Sequence, residues 1–146
     1  MTKKNVNNIN IINIFNETFY RYLPKKTVKF IITNIFEDFR INNYTLNLVY
    51  CNNELIKKIN SEYLKHDYET DVISFEIDRE PYIFEIYIGV EVAKMQAIEY
   101  KVSLRNEILR LTIHGALHLV GYDDKNEESR NKMKELEDFY LERIQR

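Results

Sequence analysis

The sequence contains few of the residues that build disulfide frameworks or thiolate metal clusters. Its 146 residues include one cysteine, three glycines, two prolines and no tryptophan. The single cysteine, Cys51, cannot form an internal disulfide, so any metal ion would have to be held by His, Asp or Glu side chains. This cysteine usage is typical of a protein in a reducing cytoplasm.

Long apolar runs are also missing. In the stretch MTKKNVNNINIINIFNETFYRY, asparagines interrupt the apolar positions before a signal-peptide core or a membrane span could form. We therefore expect a soluble, untargeted cytoplasmic protein with no membrane partner. Internal repeats and low-complexity linkers are absent from the sequence, and its 45% hydrophobic content suits one core, so residues 1–146 are predicted to form a single domain.

Charge is nearly balanced, with a net value of −2, which argues against a protein that coats nucleic acid non-specifically. Its distribution is uneven: residues 1–68 carry 10 basic and 6 acidic side chains, whereas residues 69–146 carry 11 and 17. Several lysines of the first part could form a basic face for a polyanion, although solvated helix surfaces are the favoured interpretation. These lysines are Lys25, Lys26, Lys29, Lys57, Lys58 and Lys65.

Hydrophobic periodicity predicts four strands and about five helices. The strands are expected at 8–15, 45–51, 71–77 and 84–90, with a turn at 78–82, and the helices at 25–39, 52–64, 90–100, 104–119 and from 127 onward. The predicted class is therefore α+β, a small mixed four-stranded sheet packed with helices. In the last helix, Met133, Leu136, Phe139 and Tyr140 are expected to face inward.

The stretch HGALHLVGYDD, residues 114–124, is the strongest chemical signal. His114 and His118 are four residues apart on the predicted fourth helix, so their side chains share one face and can share a metal ion. Gly121 would end that helix and let Asp124 return as a third ligand, as in the longer zincin signatures. Asp123 is the alternative third ligand, but register favours Asp124. Two imidazoles and one carboxylate leave a coordination position open, as a catalytic site requires.

The residue after the first histidine is Gly115, which argues against an ordinary metalloprotease. In those enzymes a glutamate at this position takes a proton from the attacking water. Hydrolysis of an RNA phosphodiester offers another route, because a metal ion can polarise the phosphoryl oxygens while a nearby acid or the substrate handles the proton.

HGALHLVGYDD resembles the H-G-x-L-H-L-x-G-Y-D-H signature of the YbeY family of bacterial metal-dependent endoribonucleases. NSEYLKHDYETDVISF, residues 60–75, is similar to that family's N-x-x-Y-R-x-x-D-x-P-T-D-V-L-S-F segment, and EIYIGVEVAKMQA, residues 85–97, is similar to its G-D-I-x-I strand and following helix. The resemblance implies a single-strand-specific endoribonuclease that matures ribosomal RNA, notably the small-subunit 3′ end, and acts in ribosome quality control. It also implies one zinc ion per chain, here on His114, His118 and Asp124.

Three departures from the family pattern change these expectations. Asp124 replaces the third histidine, which makes manganese or iron more favourable occupants than three histidines would. Leu64 replaces an arginine expected to contact phosphate, and Lys65 or His66 could substitute for it, with a solvated loop as the alternative. Arg105, on the metal-bearing helix, could meet either solvent or phosphate. Phe84 and Glu85 replace a Gly-Asp pair, and Glu85 is the candidate for orienting water or relaying a proton beside the catalytic His114.

Two rival functions stay open at this point. A metallopeptidase would need a carboxylate from another segment, for which Glu85 is the only attractive donor. A non-catalytic ribosome-assembly factor with a structural metal would explain the missing arginine.

Overall fold

A computed structural model describes residues 9–144 of the chain. Residues 1–8, which are the first eight residues of the stretch MTKKNVNNINIINIFNETFYRY and include the first residue of the expected strand at 8–15, lie outside the described part. The elements in chain order are β1 (Asn10–Glu17), α1 (Lys26–Asp38), β2 (Tyr44–Cys51), α2 (Asn53–Leu64), β3 (Val72–Arg79), β4 (Tyr82–Gly89), α3 (Val90–Tyr100), α4 (Leu104–Leu119) and α5 (Glu127–Ile144).

The strands form a four-stranded mixed sheet in the order β1-β2-β4-β3. β1, β2 and β4 run parallel, and β3 pairs antiparallel with β4. The α+β prediction is confirmed, with all nine elements close to their expected places. β1 begins at Asn10 and ends at Glu17, two residues after the end that the apolar alternation indicated, and the β3–β4 connection is tighter, with only Glu80 and Pro81 between the strands.

Side-chain alternation gives the sheet two different faces. On one face, residues such as Leu48 and Ile86 join the main core, which also takes buried residues from α1, α4 and α5. On the other face, Cys51 and Ile73 pack beneath Ile56 of α2 in a smaller cluster. The two faces matter below, because a side chain on one face cannot reach a site built on the other.

α4 is the central helix of the larger layer and contacts α1, α3, α5, β3 and β4. Ser103 caps its N-terminus, and the Ser103 Oγ accepts a hydrogen bond from the Asn106 backbone N–H at 3.0 Å. Gly121 follows the end of α4 with φ +108°, a conformation that favours glycine. Among residues 9–144, no helix combines the length and the apolar character needed to cross a membrane.

Candidate metal centre

The C-terminal half of α4 and the turn after it bring together His114, His118 and Asp124, the three predicted metal ligands. The two Nε2 atoms are 3.0 Å apart, and Oδ2 and Oδ1 of Asp124 lie 3.5 Å and 3.9 Å from His114 Nε2 and His118 Nε2. One donor atom from each residue can be chosen so that all lie within 4.8 Å of one another.

These separations fit a single first-row metal ion. Ligand atoms bound tetrahedrally to zinc at its usual bond lengths lie about 3.3–3.5 Å apart. The observed nitrogen–nitrogen and nitrogen–oxygen distances bracket that value, and small side-chain rotations would equalise them. The alternative ligand Asp123 is exposed and instead accepts a hydrogen bond from the Lys125 backbone N–H.

Glu137 of α5 holds the His114 ring in place. Its Oε2 lies 2.7 Å from His114 Nδ1, so Nδ1–H donates to the carboxylate and Nε2 is left to face the other two ligands. Glu137 is only 8% exposed, and Arg110 donates to its other oxygen at 2.9 Å. Metal-binding histidines in proteins are commonly oriented by such a buried carboxylate.

The two histidines have different electrostatic surroundings. Burial lowers the pKa of His114, but the hydrogen bond and charge of Glu137, together with the charges of Asp124 and Asp71, outweigh it and the net direction is upward. For His118, burial and the neighbouring His114 lower the pKa, which favours the neutral imidazole that binds metal.

Gly115 is required by packing between α4 and the sheet. A Cβ at this position would lie 2.9 Å from Ser74 Oγ and 3.2 Å from Ile86 Cγ2. Ser74 Oγ also donates a hydrogen bond to the Gly115 carbonyl at 2.9 Å. The position after the first histidine therefore faces the sheet, with no room for the glutamate of a metalloprotease.

A cleft of about 590 Å³ opens beside the ligand group, between α3, α4 and α5. His114 and Asp124 line it, as do two cations that the sequence analysis did not single out, Arg130 and Lys134. Their exposed side chains give the cleft positive groups that could meet phosphate.

Glu85 lies away from this site, which corrects the prediction that it acts beside His114. It alternates on β4 with Phe84 and Ile86, both of which join the core beneath α4, so its side chain lies on the opposite face of the sheet. There its Oε1 accepts a hydrogen bond from the Tyr87 hydroxyl at 2.7 Å. Glu85 is therefore not placed to relay a proton at the histidines.

The three expected RNA-contacting residues also lie outside the cleft lining. Lys65 follows α2 in a left-handed conformation, and the His66 ring stacks on Tyr68 with centroids 5.4 Å apart. Arg105 donates to Thr27 Oγ1 of α1 at 3.0 Å. The structure does not bring these residues to the metal ligands.

Sequence reasoning missed Glu137 because the inward face of α5 was assigned to apolar residues alone. Met133 and Tyr140 are buried as predicted, but Phe139 is 50% exposed. Glu137 is four residues after Met133 and three before Tyr140, so it belongs to the buried stripe. An acidic residue within that stripe was the available signal.

Comparisons with known proteins agree with the resemblance found in the sequence. The family model described as Endoribonuclease YbeY matches residues 12–145. The chain is 38% identical over 134 residues to Endoribonuclease YbeY of Chlorobium phaeobacteroides (strain DSM 266), covering 91% of this chain and 94% of that one. It is 35% identical over 147 residues to Endoribonuclease YbeY of a Sulfurihydrogenibium species, with 97% of each chain covered.

A solved structure is similar as well. The solution structure of TM1509 from Thermotoga maritima superposes with a TM-score of 0.62 at 25% identity, covering 92% of this chain and 89% of that one. The fold, the histidine segment and the near-complete coverage by relatives lead to one assignment: the chain belongs to the YbeY family.

Proposed function

We propose that the protein is a metal-dependent endoribonuclease that cleaves single-stranded RNA in ribosomal RNA maturation. The observation that carries the proposal is the convergence of His114, His118 and Asp124 beside a cleft, in a chain whose relatives are named endoribonucleases. The 3′ end of the small-subunit rRNA, in the cytoplasm and in ribosome quality control, is the proposed site of action, with residues 1–146 as one catalytic domain.

The donor set supports zinc as the proposed cofactor, one ion per chain. Two imidazoles suit zinc, and a carboxylate in third position also suits manganese or iron(II). A divalent ion held there would supply Lewis-acid chemistry, polarising a phosphoryl oxygen and making water a better nucleophile.

The chain's own residues would orient a metal ligand and contact the RNA substrate. Glu137 fixes the His114 ring, and Arg110 fixes Glu137 through its guanidinium. Arg130 and Lys134 are the cations that the cleft offers to RNA phosphates. Because no carboxylate follows His114, the proton released by water would pass to solvent or to the substrate.

Metal analysis combined with RNA cleavage tests the proposal. Wild type should carry one metal ion per chain and cut a single-stranded RNA but not its duplex, whereas His118→Ala should lose both the metal and the cleavage. His66→Ala is the matched control, since His66 lies outside the ligand group, and it should keep its metal. A wild type that carries metal but cuts no RNA would contradict the proposal.

One observation favours a second candidate, a ribosome-assembly factor with a structural metal. Leu64, which replaces the family's arginine, is 42% exposed at the end of α2 and offers no charge to phosphate. Under this alternative, His114→Ala or Asp124→Ala would abolish metal binding in cells and leave rRNA processing intact. Under the nuclease proposal, the same variants accumulate unprocessed rRNA.

A further inference from the structure

Glu107 is a buried acid in the cleft that the metal site does not use. It lies on α4, is 3% exposed and lines the cleft. Among residues 9–144 its carboxylate has no hydrogen-bond partner in the structure. Its oxygens are not sealed in the core but reach the cleft, and acids with perturbed surroundings beside a cleft cluster at functional sites.

The neighbouring charged groups are already engaged. Asp71 accepts hydrogen bonds from the Val72 backbone N–H at 2.7 Å and from Gln96 Nε2 at 3.3 Å. Arg110 directs its two terminal nitrogens to Glu137 and Asp138. Glu107 therefore differs from Arg110 because its carboxylate oxygens are available to accept hydrogen bonds from a ligand in the cleft.

The position of Glu107 relates it to the metal ligands. It precedes His114 by seven residues, two turns of helix, so the two side chains share a face about 10.5 Å apart along the axis. That span is too long for proton transfer at the histidines. It suits contact with the ribose or base of a nucleotide whose phosphate lies at the metal site.

Other residues of the cleft lining can accommodate a flat ring. Tyr100, 57% exposed at the end of α3, and Val102 give it an aromatic and an apolar wall. Gln96 and Asn106 add polar edges. Aromatic stacking with hydrogen bonds to base edges is how proteins recognise unpaired RNA bases.

We propose that this part of the cleft is a pocket for one unpaired guanine next to the scissile phosphodiester, with Glu107 accepting hydrogen bonds from its N1–H and N2–H. Guanine is the one RNA base with two adjacent donors on its Watson–Crick edge, which matches the two oxygens of a carboxylate. Adenine and cytosine place an acceptor beside their donor, and uracil has one donor between two acceptors. The inference rests on the proposed RNA substrate.

Burial raises the pKa of Glu107, with Arg110 opposing the shift and Asp71 and Glu137 adding to it. Two N–H donors from guanine would favour the ionised form. The direction of the Glu107 pKa shift therefore agrees with a carboxylate whose hydrogen-bond donors are supplied by the bound base.

Binding of mononucleotides tests the pocket without relying on cleavage. Guanosine 5′-monophosphate should bind wild type about tenfold more tightly than the adenosine, cytidine or uridine monophosphates, and should shift the side-chain amide NMR signals of Gln96 and Asn106. Inosine 5′-monophosphate, which lacks the N2 amine, should bind several-fold more weakly than the guanine nucleotide. Equal binding of all the nucleotides to wild type would overturn the proposal.

Variants sharpen the test. Glu107→Gln replaces one acceptor with a donor and should abolish the guanine preference, whereas the exposed Glu99→Gln should keep it. Tyr100→Ala should weaken the binding of the guanosine, adenosine, cytidine and uridine monophosphates by a similar factor. A guanine preference that survives in a folded Glu107→Gln variant would overturn the assignment to Glu107.

Cleavage of single-stranded RNAs that vary at one position separates the two proposals. If wild type cuts them and nucleotide binding shows no preference, the guanine pocket is wrong and the nuclease function stands. If wild type cuts none of them, the nuclease function fails, and the binding comparison still decides the pocket.

Discussion

At the scale of single residues, the site depends on a buried carboxylate that is not itself a ligand. Glu137 accepts from His114 Nδ1 at 2.7 Å and is held by Arg110 from the other side. This chain of contacts fixes both the tautomer and the direction of the metal-binding nitrogen. Asp124, by contrast, is exposed and lies in the loop after α4. His114 is therefore held by more protein contacts than Asp124 is.

Glu137→Gln should weaken zinc binding by about 10- to 100-fold, because a neutral amide accepts more weakly from Nδ1–H and leaves Arg110 without its partner charge. Competition with a chromophoric chelator measures the affinity. Glu135→Gln, an exposed change on the same helix, should bind zinc like wild type. An affinity within twofold of wild type in Glu137→Gln would show that this contact does not orient the ligand.

At the scale of elements, the approach of α4 to β3 and β4 positions the histidines. Gly115 allows the helix to lie directly on Ser74 and Ile86, so that His114, one residue earlier, is turned toward α5 and the cleft. The i, i+4 histidines and the turn at Gly121 made the ligand set predictable, since the whole signal lies within eleven residues.

Gly115→Ala should lower the free energy of unfolding by about 1–3 kcal/mol, since its Cβ meets Ser74 Oγ at 2.9 Å. Urea denaturation measures the loss. Combining it with Ser74→Ala, which removes the nearest atom, should cost less than the sum of the two single changes. Wild-type stability for Gly115→Ala would mean that the helix can move away from the sheet at little cost.

The positions of Glu85 and Glu137 relative to the histidines could not be predicted from the sequence, because they depend on how the helices pack on the sheet and on each other. Alternation on β4 shows that Glu85 and Ile86 face opposite sides, but not which side carries α4. The prediction that Glu85 acts beside His114 is therefore wrong, because it assumed that Glu85 lies on the face of the sheet that carries α4. Glu137 lies 23 residues after His114, and only the packing of α5 on α4 brings the two together.

Glu85→Gln should leave the rate of RNA cleavage within about twofold of wild type, because Glu85 lies across the sheet with Tyr87 as its partner. Single-turnover cleavage of a single-stranded RNA is the measurement. A general acid or base contributes roughly 100- to 10,000-fold. A loss of that size, in a variant that keeps its metal and its fold, would restore Glu85 to the mechanism.

In the whole molecule, the sheet separates the face that carries the metal ligands and the cleft from the face that is covered by α2. The main core, α4, α5 and the cleft share one face, and α2 covers the other. The lysines considered as one basic face are split by this arrangement, since Lys26 and Lys29 lie on α1 and Lys57 and Lys58 on α2. The cleft beside the metal ligands is instead lined by Arg110 of α4 and by Arg130 and Lys134 of α5.

The nuclease proposal requires a metal ion held by His114, His118 and Asp124. Titrating metal-free protein with zinc while following cleavage of a single-stranded RNA measures this requirement. Cleavage should be absent at the start and rise in proportion to added zinc until it levels off at one ion per chain, with a matched duplex left uncut. Cleavage by the metal-free protein, or a rise in cleavage with no break at one equivalent of zinc, would contradict the requirement for metal at these three residues.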